Sequence, residues 1–224
     1  MMMSELMPLF PLGTVLYPGM VLPLHIFEER YRQLVRDLLD GPEPHRFGVI
    51  AIREGRETGA DGVTSLYDIG CVAELREATS YDDGRFDLIT VGTERFRLGP
   101  LDRSQPYLRA EIEPVPDGIA DEAGAALATT AAQGTFRAYL DALVERGGAT
   151  VRVEELPDEP VLLSYVIAAA MIVDLPEHQG LLAEPDAKAR LEAEQGLLSR
   201  EIAMLRATTS RPAPDLRYTP YNPN

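Results

Sequence analysis

The chain has 224 residues, 45% of them hydrophobic and 25% charged, enough to bury a core without disulfides or a structural metal. Its 21 basic and 36 acidic residues leave a net charge of −15, which argues against a broad nucleic-acid surface, because phosphate neutralisation dominates such affinity. The longest nearly unbroken apolar run, 161–173, falls short of the roughly 20 residues a bilayer requires, and Met1-Met2-Met3-Ser4-Glu5 places no basic segment ahead of an apolar stretch, so a cytoplasmic protein without a membrane span is expected.

Strand patterns begin at 7–12 and 20–25, joined through Tyr17-Pro18-Gly19-Met20, which has Pro and Gly at the central positions of a type II turn. Phe27, Tyr31, Leu34, Val35 and Leu38 then recur at helical spacing, with Glu28 and Arg32 as an i,i+4 pair and Gly41-Pro42 as the stop. The run 47–52 suits a buried strand, 53–62 a polar loop, and 65–78 and 85–91 flank the hairpin turn Asp82-Asp83-Gly84. Phe96 and Leu98 alternate with Arg95 and Arg97, and Leu108, Ala110 and Ile112 alternate with Arg109 and Glu111, predicting two more half-buried strands.

Pro114, Pro116 and Asp117-Gly118 break this pattern, and helices follow. The first spans 121–146 and closes at Gly147-Gly148. A second is capped by Asp158 and runs to about 174; it is apolar on every side, which predicts the central helix of a bundle. Pro176 opens a short helix to Leu182, and Asp186 caps a last one whose inward stripe is Leu191, Leu198, Ile202 and Leu205. The expected organisation is α+β: a β-rich unit over 1–116, a helical bundle over 117–208, and a proline-rich tail over 209–224.

Chemistry finds little anchorage. Lys188, the single lysine, lies between alanines and not in a phosphate-binding loop, and no serine sits in a nucleophile elbow. Cys71 is alone, which excludes an intramolecular disulfide, and His25, His45 and His178 lack metal-ligand spacing; His25 reads as a strand-end residue beside the helix-start acids Glu28 and Glu29. The acid pairs Asp82-Asp83 and Glu154-Glu155 read as solvated, and no cofactor site is found. What remains is recognition surface: Tyr17 and Met20 flank the tight turn as a candidate peptide-binding patch, and Leu216, Tyr218 and Tyr221 among the tail prolines are candidates for docking as an extended strand.

The stretch Pro8-Leu9-Phe10-Pro11-Leu12-Gly13-Thr14-Val15-Leu16-Tyr17-Pro18-Gly19-Met20-Val21-Leu22-Pro23-Leu24-His25-Ile26-Phe27-Glu28-Glu29-Arg30-Tyr31 closely resembles the N-terminal, substrate-binding domain family of Lon proteases. Phe47-Gly48-Val49, Ile69-Gly70-Cys71-Val72-Ala73-Glu74-Leu75, Gly92-Thr93-Glu94-Arg95-Phe96-Arg97-Leu98, Leu175-Pro176-Glu177 and Leu181-Leu182 look similar too. The resemblance implies a PUA-like pseudo-barrel with one inserted helix, followed by a helical bundle, and a role in engaging substrate proteins. The sequence holds neither the ATPase nor the Ser–Lys peptidase that accompany this domain in full-length Lon proteases. The expected function is therefore non-catalytic binding of unfolded client proteins or peptides, as an adaptor for a separate ATP-dependent protease or chaperone. RNA binding, prompted by the PUA-like resemblance and opposed by the charge, is the alternative. Phe10, Leu12, Val21, Leu24, Phe27 and Tyr31 are expected to point inward, and Arg30 and Arg95 to pair with carboxylates.

Overall fold

The computed structural model describes residues 6–55, 63–119, 121–146 and 155–209. The first half contains β1 (Met7–Leu12), β2 (Val21–Ile26), α1 (Glu29–Leu39), β3 (Arg46–Gly55), β4 (Val63–Leu66), β5 (Ile69–Ser80), β6 (Phe86–Asp102) and β7 (Arg109–Val115). Side-chain alternation decides how these strands close. β1 sends Leu9 to one face and Phe10 to the other; β3 sends Ile50 and Ile52 with Leu9, and Phe47 and Val49 with Phe10.

Five strands form a ring: β1 pairs parallel with β3 and antiparallel with β7, and β7–β6, β6–β5 and β5–β3 are antiparallel. Each contributes to the same inner cluster through Leu9, Ile50, Val72, Phe96 and Ala110, so the ring is filled by side chains and holds no channel. Phe96 occupies its centre because Gly48 and Gly70 leave room: a methyl group at Gly48 would lie 2.9 Å from Phe96 Cζ and 2.8 Å from Leu9 Cδ2. On the outer face α1 lays Tyr31, Leu34 and Val35 against Phe10, Phe47 and Val49, with the Phe10 and Tyr31 rings stacked at 4.1 Å. Each such burial is worth about 1.5–3 kcal/mol.

β6 is one continuous strand where the sequence suggests two, which lets its first half carry β2 on one side while its second half closes the ring. Met20 N–H donates 3.1 Å to the Tyr17 carbonyl and Gly19 has φ +81°, the geometry of the expected type II turn. The Gly92 N–H bonds to the Met20 carbonyl, so by alternation Val21, Pro23 and His25 aim their backbone groups at the open edge of β2. Pro23 removes the middle donor from that edge and blunts it against strand addition. Glu28 is the residue before α1 and pairs with Arg30 at 3.1 Å, while Arg32 pairs with Glu29; the expected Glu28–Arg32 pair is replaced because Arg32 also reaches the Gly84 carbonyl.

The second half is helical: α2 (Glu122–Glu145), α3 (Pro160–Ala170), α4 (Leu175–Ala183) and α5 (Ala187–Thr209). Asp121 caps α2 and Asp186 caps α5 through the Gly124 and Ala189 N–H groups, each at 2.9 Å. The cap of α3 is Glu159 and not Asp158, which is held by Gln133 instead. α3 ends at Ala170, not 174: Met171 is extended, and Asp174 is taken by a reciprocal capping box with Glu177 that starts α4. Phe136, Tyr139, Leu163, Ile167, Leu181, Leu191, Leu198, Ile202 and Leu205 share one core, into which Tyr17 and Ile69 reach from the strand half. α3 is not enclosed on all sides. Leu162 is 45% and Ile172 is 70% exposed, because only the face carrying Leu163, Tyr165, Ile167 and Ala168 meets its neighbours. Most of the expected polar loop (56–62), the glycine pair 147–148, Glu154 and the tail with Leu216, Tyr218 and Tyr221 lie outside the described residues. No described helix is long and apolar enough to cross a membrane.

Candidate functional site

The two halves meet in a polar seam. Arg95, on β6, is fully buried although alternation with Phe96 places it on the opposite face of its strand; that face is covered by α4 and the segment after β7. Its Nη1 donates to the Leu182 and Glu184 carbonyls at 2.8 and 2.6 Å, satisfying carbonyls at the end of α4, and its Nη2 lies 2.9 Å from Asp117 Oδ1. The expected carboxylate partner of Arg95 is therefore Asp117. Arg190, also fully buried, donates to the Leu181 carbonyl and to Ser164 Oγ, both at 2.9 Å, and lies 4.1 Å over the Tyr165 ring. Tyr165 in turn donates 2.6 Å to Asp117 Oδ1, and burial pushes its phenol pKa above the ordinary value. Arg190 Nη2 also lies 3.4 Å from Asp117 Oδ1, so Asp117 gathers both arginines and a tyrosine. Gln179 adds a bond from its Nε2 to the Ile69 carbonyl at 2.8 Å.

Tyr17 belongs to this seam. It is 3% exposed, its hydroxyl donates to the His178 carbonyl at 3.0 Å and sits 3.0 Å from His178 Nδ1, and its ring packs against Tyr165. Burial raises its pKa first, with the charge of Glu194 next. Met20 is half-buried and packs against both the helical core and the α1 core. The turn thus fastens the halves together, and its aromatic ring is turned away from solvent because the helical half supplies hydrogen-bond partners and apolar cover there. His25, read from the sequence as a strand-end residue, pairs with Asp87 at 2.6 Å, and Lys188 ties α5 to Asp121 at 2.9 Å. Cys71 is fully buried, and desolvation pushes its thiol up to about 12, which leaves it in the unreactive neutral form at neutral pH.

Arg95 Nε and Gln179 Oε1 find no hydrogen-bond partner among the described residues, and the largest uncompensated group beside the seam is a carboxyl. Glu194, in the inward stripe of α5, is fully buried, and neither carboxyl oxygen has a hydrogen-bond partner among the described residues; desolvation raises its pKa well above the ordinary 4.5, only partly offset by Arg190. An acid raised in this way binds a proton on folding, so its contribution to stability is greatest below the unfolded value and declines as pH rises through the window up to the folded one. We expect Glu194→Gln to raise the melting temperature at pH 8 and to leave it nearly unchanged at pH 4, flattening a slope of about 1.4 kcal/mol per pH unit. Parallel pH profiles for the two proteins would contradict this reading.

The solvent-facing apolar surface lies one residue past the turn. Val21 is 62%, Phe27 55% and Ile89 38% exposed, and Pro23 pairs in register with Ile89 across β2 and β6, placing Val21, Pro23 and Ile89 on one face. Val21 and Phe27 do not point inward as expected. β2 alternates with Leu22, Leu24 and Ile26 toward α1, leaving Val21 on the opposite face, and Phe27 stands at the corner before the α1 cap, stacked on His25. Beside Phe27 a cavity of about 110 Å³ opens between the ends of β1 and β2, lined by Phe10, Leu12, Leu24, Phe27 and Tyr31. That volume is below the ~150 Å³ that accepts benzene and suits one aliphatic side chain. The parity of Val21 against Leu22, Leu24 and Ile26 is the signal in the sequence that finds this surface.

A five-strand ring fused through a buried arginine seam to a helical half, with exposed apolar side chains on β2, makes up a two-part α+β fold. The substrate-binding domain family of ATP-dependent protease La (LON) matches residues 6–200, and the chain belongs to that family. It is 28% identical over 202 residues to the Lon protease of Anaeromyxobacter dehalogenans and 26% identical over 199 residues to that of Escherichia coli K12, covering 89% and 88% of this chain. It spans about a quarter of the length of those relatives, 24% and 25%. Among solved structures, the Lon N-terminal domain protein from Xanthomonas campestris superposes with a TM-score of 0.60 at 25% identity, and the N-terminal domain of a Mycobacterium avium complex Lon protease with 0.64 at 18% identity. In both cases 87% of this chain and 98% of the other are covered.

Proposed function

We propose that this chain is a non-catalytic, cytoplasmic module that holds exposed apolar segments of client proteins and presents them to a separate ATP-dependent protease or chaperone. In this reading residues 1–116 form a PUA-like pseudo-barrel that carries the contact surface, and 117–208 form a helical bundle that braces it. Family membership supplies the class of ligand. The observation that carries the location is the run of exposed apolar side chains along the β2–β6 ribbon, Val21 and Ile89 on one face and Phe27 at its end, where Phe27 borders a cavity sized for one side chain. Large side chains held open on a rigid sheet give affinity without an ordering cost. Tyr17 and Met20 enter as the fastening beneath this surface.

The test is binding of a permanently unfolded protein, reduced and carboxymethylated, to the native chain and to a Val21→Ser/Phe27→Ser variant. Loss of two apolar contacts is expected to weaken binding by about tenfold or more, with the melting temperature lowered by only a few degrees because both side chains are more than half exposed. Equal affinity in the two proteins would remove this face from the site.

A further inference from the structure

The exposed face of α3 is a further apolar surface among the described residues, and it lies on the other half of the chain from Val21 and Phe27. Leu162, Val166, Ala169 and Ala170 recur at helical spacing along it, Ile172 follows, and no charged residue interrupts the sequence from 160 to 173. Both ends of the stripe are acidic, with Asp158 and Glu159 before it and Asp174 after it, all exposed.

We propose that this face is the docking site of the chain's own 210–224 segment, which covers it in cis. Three observations support that occupant. The first is reach: Arg200 pairs with Glu177, five residues past Ile172, and Thr209 is about 14 Å further along α5, whereas the residues from 210 to 218 extend up to roughly 30 Å. The second is chemistry: the prolines at 212, 214 and 220 favour a polyproline II backbone, whose three-residue period puts Tyr218 and Tyr221 on one side of the segment. The third is charge: the segment carries Arg211 and Arg217 against Asp215 in a chain of net −15, complementary to the acidic ends of the α3 stripe.

Ile172→Cys in the full chain provides the test, because Cys71 is buried and stays silent toward a maleimide under native conditions. Labelling at position 172 is expected to be at least five times slower than in the same protein carrying Leu216→Ser, Tyr218→Ser and Tyr221→Ser. A synthetic peptide of residues 210–224 should restore protection to that variant. Leu162→Cys reports independently at the other end of the stripe, should the first substitution perturb folding. Equal labelling rates at both positions would overturn the proposal, and so would protection that grows with protein concentration, which would assign the cover to a second copy.

Discussion

Arg95→Ala is expected to lower the melting temperature by roughly 6–20 °C. The guanidinium is fully buried and satisfies the Leu182 and Glu184 carbonyls and Asp117 together, and removing one partner of such a group leaves the others buried and unpaired at a cost of about 3–5 kcal/mol. For a chain of this size each kcal/mol corresponds to about 2–4 °C. Arg95→Lys should fall between the two, since an ammonium keeps the charge and lacks the fork that serves three acceptors. Arg97→Ala, two residues along and exposed, is the control and should change stability by less than about 0.5 kcal/mol. Thermal melts of the variants decide it; equal melting temperatures for Arg95→Ala and Arg97→Ala would mean that the seam does not hold the halves.

Gly70→Ala is the second large effect. A methyl group there would lie 2.6 Å from the Val49 carbonyl oxygen and closer still to the Phe96 ring. Overpacking of this kind costs about 1–3 kcal/mol and sometimes more, and the upper end is expected because a backbone oxygen cannot rotate away. The melting temperature should fall by about 6 °C or more. Phe96→Leu in the same chain should recover part of that loss relative to its own single variant, since it frees the ring side of the clash but not the carbonyl side. Gly196→Ala, inside α5 with no described residue within 4 Å, is expected to stabilise by up to about 1 kcal/mol. If Gly70→Ala and Gly196→Ala behaved alike, the ring would have to be looser than described.

Much of the architecture was legible from periodicity. The type II turn at Gly19, the hairpin at Gly84 and the inward stripe of α5 all follow from local chemistry that the fold leaves intact. The misreadings share one cause. Tyr17, Val21 and Phe27 take their environments from the docking of one half on the other or from strand parity, not from residue type, and so does the burial of Arg95, whose pairing with a carboxylate was expected. A pattern that makes Arg95 the polar side of a strand cannot show that Leu182 and Glu184, nearly ninety residues later, close over it. Likewise the apolar run 161–173 announces burial, while Leu162 in α3 and Ile172 beyond its end are exposed. Asp158 and Glu159 compete for one cap, and adjacency alone does not rank them. The exposure of Val21 and Phe27 was missed for the converse reason: apolar type suggested core, although the order Val21, Leu22, Pro23, Leu24 already assigns alternate residues to opposite faces.

The central claim, that this chain binds apolar polypeptide and not nucleic acid, is tested most directly by parallel fluorescence-anisotropy titrations at low and high salt with a labelled unfolded apolar peptide and a labelled structured RNA. The peptide should bind at both salt concentrations and lose affinity in the Val21→Ser/Phe27→Ser variant, while the RNA should not bind, given a net charge of −15. Salt-sensitive RNA binding with no response to the peptide would contradict the account.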